Sequence, residues 1–96
     1  MIKYPKKIDG QWYYEENIPG KGKCYFLIQL RAGDIWKDAY TDAIVTLYNS
    51  NPAEWSLIDK RNYCVFIATY GVSDEVLIHF LISNGYRNTG ENISGK

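Results

Sequence analysis

The chain has one histidine, two cysteines, three prolines and no net charge over its 96 residues, and each scarcity closes a door. Two cysteines are too few for the disulfide framework of a small secreted domain, and Cys24 and Cys64 each lie in an apolar segment, where a thiol behaves as a small hydrophobe. A zinc site needs further nitrogen or sulfur donors than His79 supplies, so no metal and no cofactor are expected. No run approaches the ~18–20 apolar residues that span a bilayer, and the basic N-terminus MIKYPKKIDG is followed by no apolar stretch of the kind that marks a secretory signal. No membrane partner is expected, and the cytoplasm is the expected compartment. A zero charge balance suits neither a purely electrostatic nucleic-acid binder nor an acidic mimic of DNA. Basic residues are nonetheless concentrated early, with Lys3, Lys6, Lys7, Lys21, Lys23 and Arg31 facing only Asp9, Glu15 and Glu16.

What remains is an ordinary apolar fraction of 46%, enough for one modest core, so residues 1–96 form a single domain with 1–10 and 92–96 loosely ordered. QWYYEEN (11–17) has the composition of a short strand, and KCYFLIQLR (23–31) that of a central strand buried on both faces, the two pairing as a hairpin across 18–22. In DIWKDAYTDAIVTLYN (34–49) the pairs Ile35/Trp36, Ala39/Tyr40, Ala43/Ile44 and Leu47/Tyr48 recur every four residues, which predicts an amphipathic helix. Asn51, Pro52 and Glu54 resemble the start of a helical turn. RNYCVFIATY (61–70) has strand composition. DEVLIHFLIS after Ser73, closed by Gly85, predicts a second helix, although the dipeptide Asn84-Gly85 is also a hairpin signal. Tyr86 to Ile93 adds a last edge strand. The expected fold is therefore α+β: a small two-layer sandwich, two helices packed on one face of a 3–5 stranded sheet. With a short strand over 55–59 it becomes ferredoxin-like with an extra N-terminal strand.

That layout invites comparison with RNA-recognition domains, but Asn62 stands where their motif has glycine, Val65 replaces its central aromatic, and Tyr63 and Phe66 alternate to opposite faces of a strand. IPGKGK (18–23) lacks the spacing of a phosphate-binding loop. His79 has no nucleophile motif near it. A non-catalytic binding module is the expected function, an inhibitor or modulator of the immunity or phage-accessory type acting on a macromolecular partner, most simply a protein. Its expected partner-binding residues are Asp34, Asp38 and Asp42, which a helix would stack about 200° away from Trp36 and Tyr40 at ~100° per residue. Like charges at that spacing cost only a few tenths of a kcal/mol, so the stripe is either solvated surface or a docking face that steers a basic partner. The alternative is a basic-aromatic patch of Trp12, Tyr14, Lys21 and Lys23 that takes a nucleotide or single-stranded nucleic acid. Helix 74–84 is apolar nearly all round, which makes Val76, Ile78 and Ile82 candidates for self-association.

Overall fold

The computed structural model describes residues 5–61, 64–66 and 71–94. Among them are eight strands and a single helix: β1 Lys6–Ile8, β2 Gln11–Ile18, β3 Gly22–Ile28, β4 Asp34–Lys37, β5 Asp42–Ser50, β6 Ala53–Asp59, β7 Cys64–Phe66, α1 Asp74–Ser83 and β8 Arg87–Asn92. They make two antiparallel sheets, a meander in the order β1-β2-β3 and a larger sheet in the order β7-β6-β5-β4-β8. The expected α+β sandwich with two helices on one sheet face is thus overturned, and with it the ferredoxin-like topology, because the first helix does not exist.

Residues 34–49 instead form a β-hairpin, β4 and β5, joined by a tight turn. The four-residue recurrence of apolar pairs is equally compatible with two strands of opposite phase separated by a break, and Asp38 makes the break. Its Oδ1 accepts the backbone N–H of Tyr40 at 2.7 Å and of Thr41 at 2.6 Å, and its own N–H donates to the carbonyl of Thr41. Such a side-chain-closed turn competes with helix for the same backbone. The β-branched run Ile44-Val45-Thr46 then favours the pleated alternative. Period-two alternation puts Trp36, Ala43 and Val45 in the core, while Thr46 faces the other side and pairs its hydroxyl with that of Ser56.

The expected helical turn after Asn51 is also replaced: β5 runs on to Ser50, residues 51–52 turn, and β6 starts at Ala53, with Asn49 donating to Glu54 at 2.6 Å. The 23–31 segment is not a central strand buried on both faces. β3 is an outer strand of the meander, and along it only Cys24 and Ile28 turn from solvent, inward-pointing Phe26 staying partly exposed. Of the 61–70 strand, β7 falls within the described residues; the remainder of that expectation lies outside them. The 11–17 strand, its hairpin with the next, the last edge strand and helix 74–83 all form as the sequence indicates.

Helix α1 closes the core. Ser73 is extended at its N-cap, Asp74 and Glu75 sit at the positive end of the helix dipole, and Gly85 adopts φ +81° just after the C-cap. Asp74 also accepts the indole N–H of Trp55 at 2.6 Å, pinning the helix start to β6. Leu77, Ile78, Leu81 and Ile82 bury against Trp36, Val45, Trp55 and Leu57, while Trp12 of the meander meets His79 edge-on at 5.5 Å. Full burial of each such aliphatic is worth about 1.5–3 kcal/mol. The meander packs its inner residues, Trp12, Tyr14 and Ile28, onto the same core.

Candidate functional site

The three aspartates that a helix would align are separated by the hairpin. Asp34 starts β4 and is buried, only 1% exposed. Its Oδ2 accepts Arg31 Nε and Asn88 Nδ2, both at 3.2 Å, and its Oδ1 accepts Asn92 Nδ2 at 2.9 Å. It is a clasp between β4 and β8, with both oxygens engaged within the fold. Asp38 is spent on the turn, and the Asp42 carboxylate lies 4.0 Å from Lys60 Nζ at the same end of the hairpin. Among the described residues no three His, Cys, Asp or Glu side chains converge as metal donors would. What the turn does present is Tyr40, 95% exposed, beside a cavity of about 410 Å³ bordered by Lys37, Asp42 and Lys60. Helical phasing placed Tyr40 in the core; the Asp38 turn puts it at a tip. The hydroxyl of Tyr86 meets Thr41 at this end, and its pKa is raised by burial first and then by the negative charges of Asp38 and Asp59, the hydrogen bond to Thr41 opposing.

The basic-aromatic set is likewise divided. In antiparallel pairs, residues opposite one another share a face, so Trp12 with Ile28 and Tyr14 with Phe26 point inward, whereas Lys6, Tyr13 and Leu27 form a row on the outer face. Lys23 lies on that outer face opposite Asn17, and Lys21 is in the β2–β3 turn, its N–H bonded to the carbonyl of Ile18. Trp12 and Tyr14 therefore do not meet Lys21 and Lys23 on one surface. The alternation in QWYYEEN already separates Tyr13 from Trp12 and Tyr14, but period two alone does not say which set faces water. Outward, the meander shows Ile8, Tyr25 and Leu27, each 44–50% exposed, around half-buried Tyr13. Lys6 Nζ stands 6.0 Å from the Tyr25 ring centre.

Where the meander meets β4 and β8, the two sheets part into a cleft of about 310 Å³. Tyr14 and Phe26, stacked at 5.3 Å, form one wall, and Trp36 and Asn88 belong to the other. The guanidinium of Arg87 covers Tyr14 at 4.4 Å and bonds Glu16 at 2.8 Å. Burial raises the pKa of Tyr14, Glu16 adding to the shift and Arg87 opposing it. The buried indole N–H of Trp36 has no hydrogen-bond partner among the described residues, a deficit that costs about 1–3 kcal/mol. Nothing in the sequence singles this cleft out, because its residues come from three distant segments.

The surface expected for self-association is mostly core: Ile78 and Ile82 are 2% and 4% exposed, and of the three only Val76 reaches solvent. Among the described residues no helix is long and apolar enough to cross a membrane. Comparison with protein-family models, with curated proteins and with solved structures found no match, so the function has to be read from the chain's own surfaces.

Proposed function

We propose that this chain is a non-catalytic binding module, an inhibitor or modulator that meets a protein partner through the outer face of its N-terminal meander. One observation carries the reading: Ile8, Tyr25 and Leu27 stand exposed around Tyr13 on one continuous strand face. Large apolar and aromatic side chains grouped on a surface are what protein interfaces use as anchors. Lys6, Glu15 and Lys23 share this face, so a partner with charged groups of both signs at its rim would complement it. The two aliphatic members favour a protein over a nucleic acid, since bases gain most from flat aromatic platforms.

The test is affinity capture from a lysate of the source cells with wild type, Leu27→Asp, Tyr25→Asp and, as a control at the opposite hairpin, Tyr40→Asp. Proteins held by wild type and Tyr40→Asp but released by both meander variants support the reading. Capture unchanged by Leu27→Asp and Tyr25→Asp refutes it, and capture abolished by nuclease treatment transfers the face to the nucleic-acid class.

A further inference from the structure

We infer that the cleft between the meander and the β4–β8 edge is a second, independent site, one that takes a planar aromatic ligand carrying an anionic group, the chemistry of a nucleoside monophosphate. The inference does not rest on the partner assigned to the outer face: the rings that wall the cleft, Tyr14 and Phe26, lie on the opposite face of the meander, and only Leu27 touches both.

Three features select the ligand. First, the cleft is walled by rings: Phe26 points inward from β3 yet keeps 37% of its surface exposed, because the cleft leaves its face uncovered. A stacked Tyr14–Phe26 pair backed by the Arg87 guanidinium is a rigid platform for a flat π-system. Second, the polar groups at hand include both donors and acceptors, with the Asp34 carboxylate among them and already engaged by Arg31, Asn88 and Asn92. Trp36 Nε1 is buried and unpartnered among the described residues, Asn88 spends one amide proton on Asp34, and the amide of Gln29 stands at the border. A base carries ring-nitrogen and carbonyl acceptors together with amino donors, which suits such a mixed lining. Third, Arg31 stands at the border, its Nε bonding the buried Asp34 carboxylate at 3.2 Å while the side chain is 67% exposed. A guanidinium held at Nε presents its terminal nitrogens as a preset fork for phosphate or carboxylate. A volume of about 310 Å³ accommodates a base with its sugar, leaving the anion at the border beside Arg31.

The measurement is a ¹H–¹⁵N titration with adenosine monophosphate, adenosine and ribose 5-phosphate at millimolar concentration, following the Trp36 indole N–H, assigned by its loss in Trp36→Phe. The expected result is a saturable shift of that signal with the monophosphate and a weaker one with the nucleoside. Phe26→Ala should abolish both responses. Arg31→Gln should cost the monophosphate about tenfold in affinity and leave the nucleoside unchanged, as expected for one charge-assisted contact. Arg31→Lys, which keeps a cation near Asp34, guards against a folding defect and should fall between. The proposal is overturned if the Trp36 signal stays still with all three compounds, or if ribose 5-phosphate binds as well as the monophosphate. It is also overturned if nucleoside and nucleotide bind alike, because the anionic half would then contribute nothing.

Discussion

If Asp34 is a clasp and not a docking carboxylate, removing it should damage stability rather than association. Asp34→Ala deletes the acceptors of Asn88 and Asn92 and of the Arg31 guanidinium. Bonds to a buried charge are worth about 1.5–3 kcal/mol each, but they do not add simply. Arg31 is mostly exposed and recovers water, so its share is small, and Asn92 keeps the carbonyl of Ala32 at 3.1 Å. A net loss of about 2–4 kcal/mol remains, which in a domain of this size lowers Tm by roughly 10–25 °C. Asp34→Asn, which keeps one acceptor but turns an amide toward amide donors, should cost about half as much. Urea denaturation gives the free energies, and hydrogen exchange locates them: the amides of β8 should lose protection first, with those of α1 following only on global unfolding. A loss below about 1 kcal/mol for Asp34→Ala would refute the clasp and restore the residue to the surface.

Gly33, next to Asp34, has φ +88°, and a Cβ there would stand 2.9 Å from Asn92 Oδ1, so Gly33→Ala should destabilise by about 1–3 kcal/mol in urea melts. Trp55→Phe removes the donor to Asp74 that pins the start of α1 and should cost about 1–2 kcal/mol, with helix amides losing exchange protection selectively. Tyr14 and Tyr86 hold their protons more tightly when folded than the usual value of 10.0. The unfolded chain therefore ionises first: their contribution is whole below pH ~10 and disappears as pH climbs through the raised native values. Tyr14→Phe/Tyr86→Phe should flatten the alkaline fall in urea midpoints, and an unchanged slope would contradict the assignment. Val76→Asp should leave melting within about 0.5 kcal/mol, whereas Ile78→Asp should prevent folding, since only the second is buried.

The parts of this fold that local chemistry decides were legible in the sequence. Ser73-Asp74-Glu75 and Gly85 bracket α1, and the aromatic run 11–17 meets its partner across a glycine-rich turn. The hairpin 34–50 was not legible in the same way, because apolar pairs four apart satisfy a helix and two phase-shifted strands alike. The arbiter was one side chain, Asp38, whose preference for closing a turn has no periodicity to betray it. That error carried the candidate site with it: three aspartates aligned on an imagined helix are, in the fold, a buried clasp, a turn closure and a strand start. In the meander, alternation sorted Tyr13 from Trp12 and Tyr14, but only the core beneath chooses which set is wet. The interlayer cleft joins residues as far apart as Tyr14, Trp36 and Asn88, and no window of sequence contains them.

Strand β8 carries a consequence for how the molecule behaves among its own copies. It borders the larger sheet, where an open strand ordinarily invites another chain to pair. Its sequence, RNTGEN, contributes no apolar side chain, and Gly90 at φ +84° sets its backbone off the regular extended path. A strand laid along it would find hydrogen-bonding groups with no hydrophobic grip behind them. Among the described residues nothing pairs with that border, and its polar, glycine-bent strand gives an approaching chain little to hold.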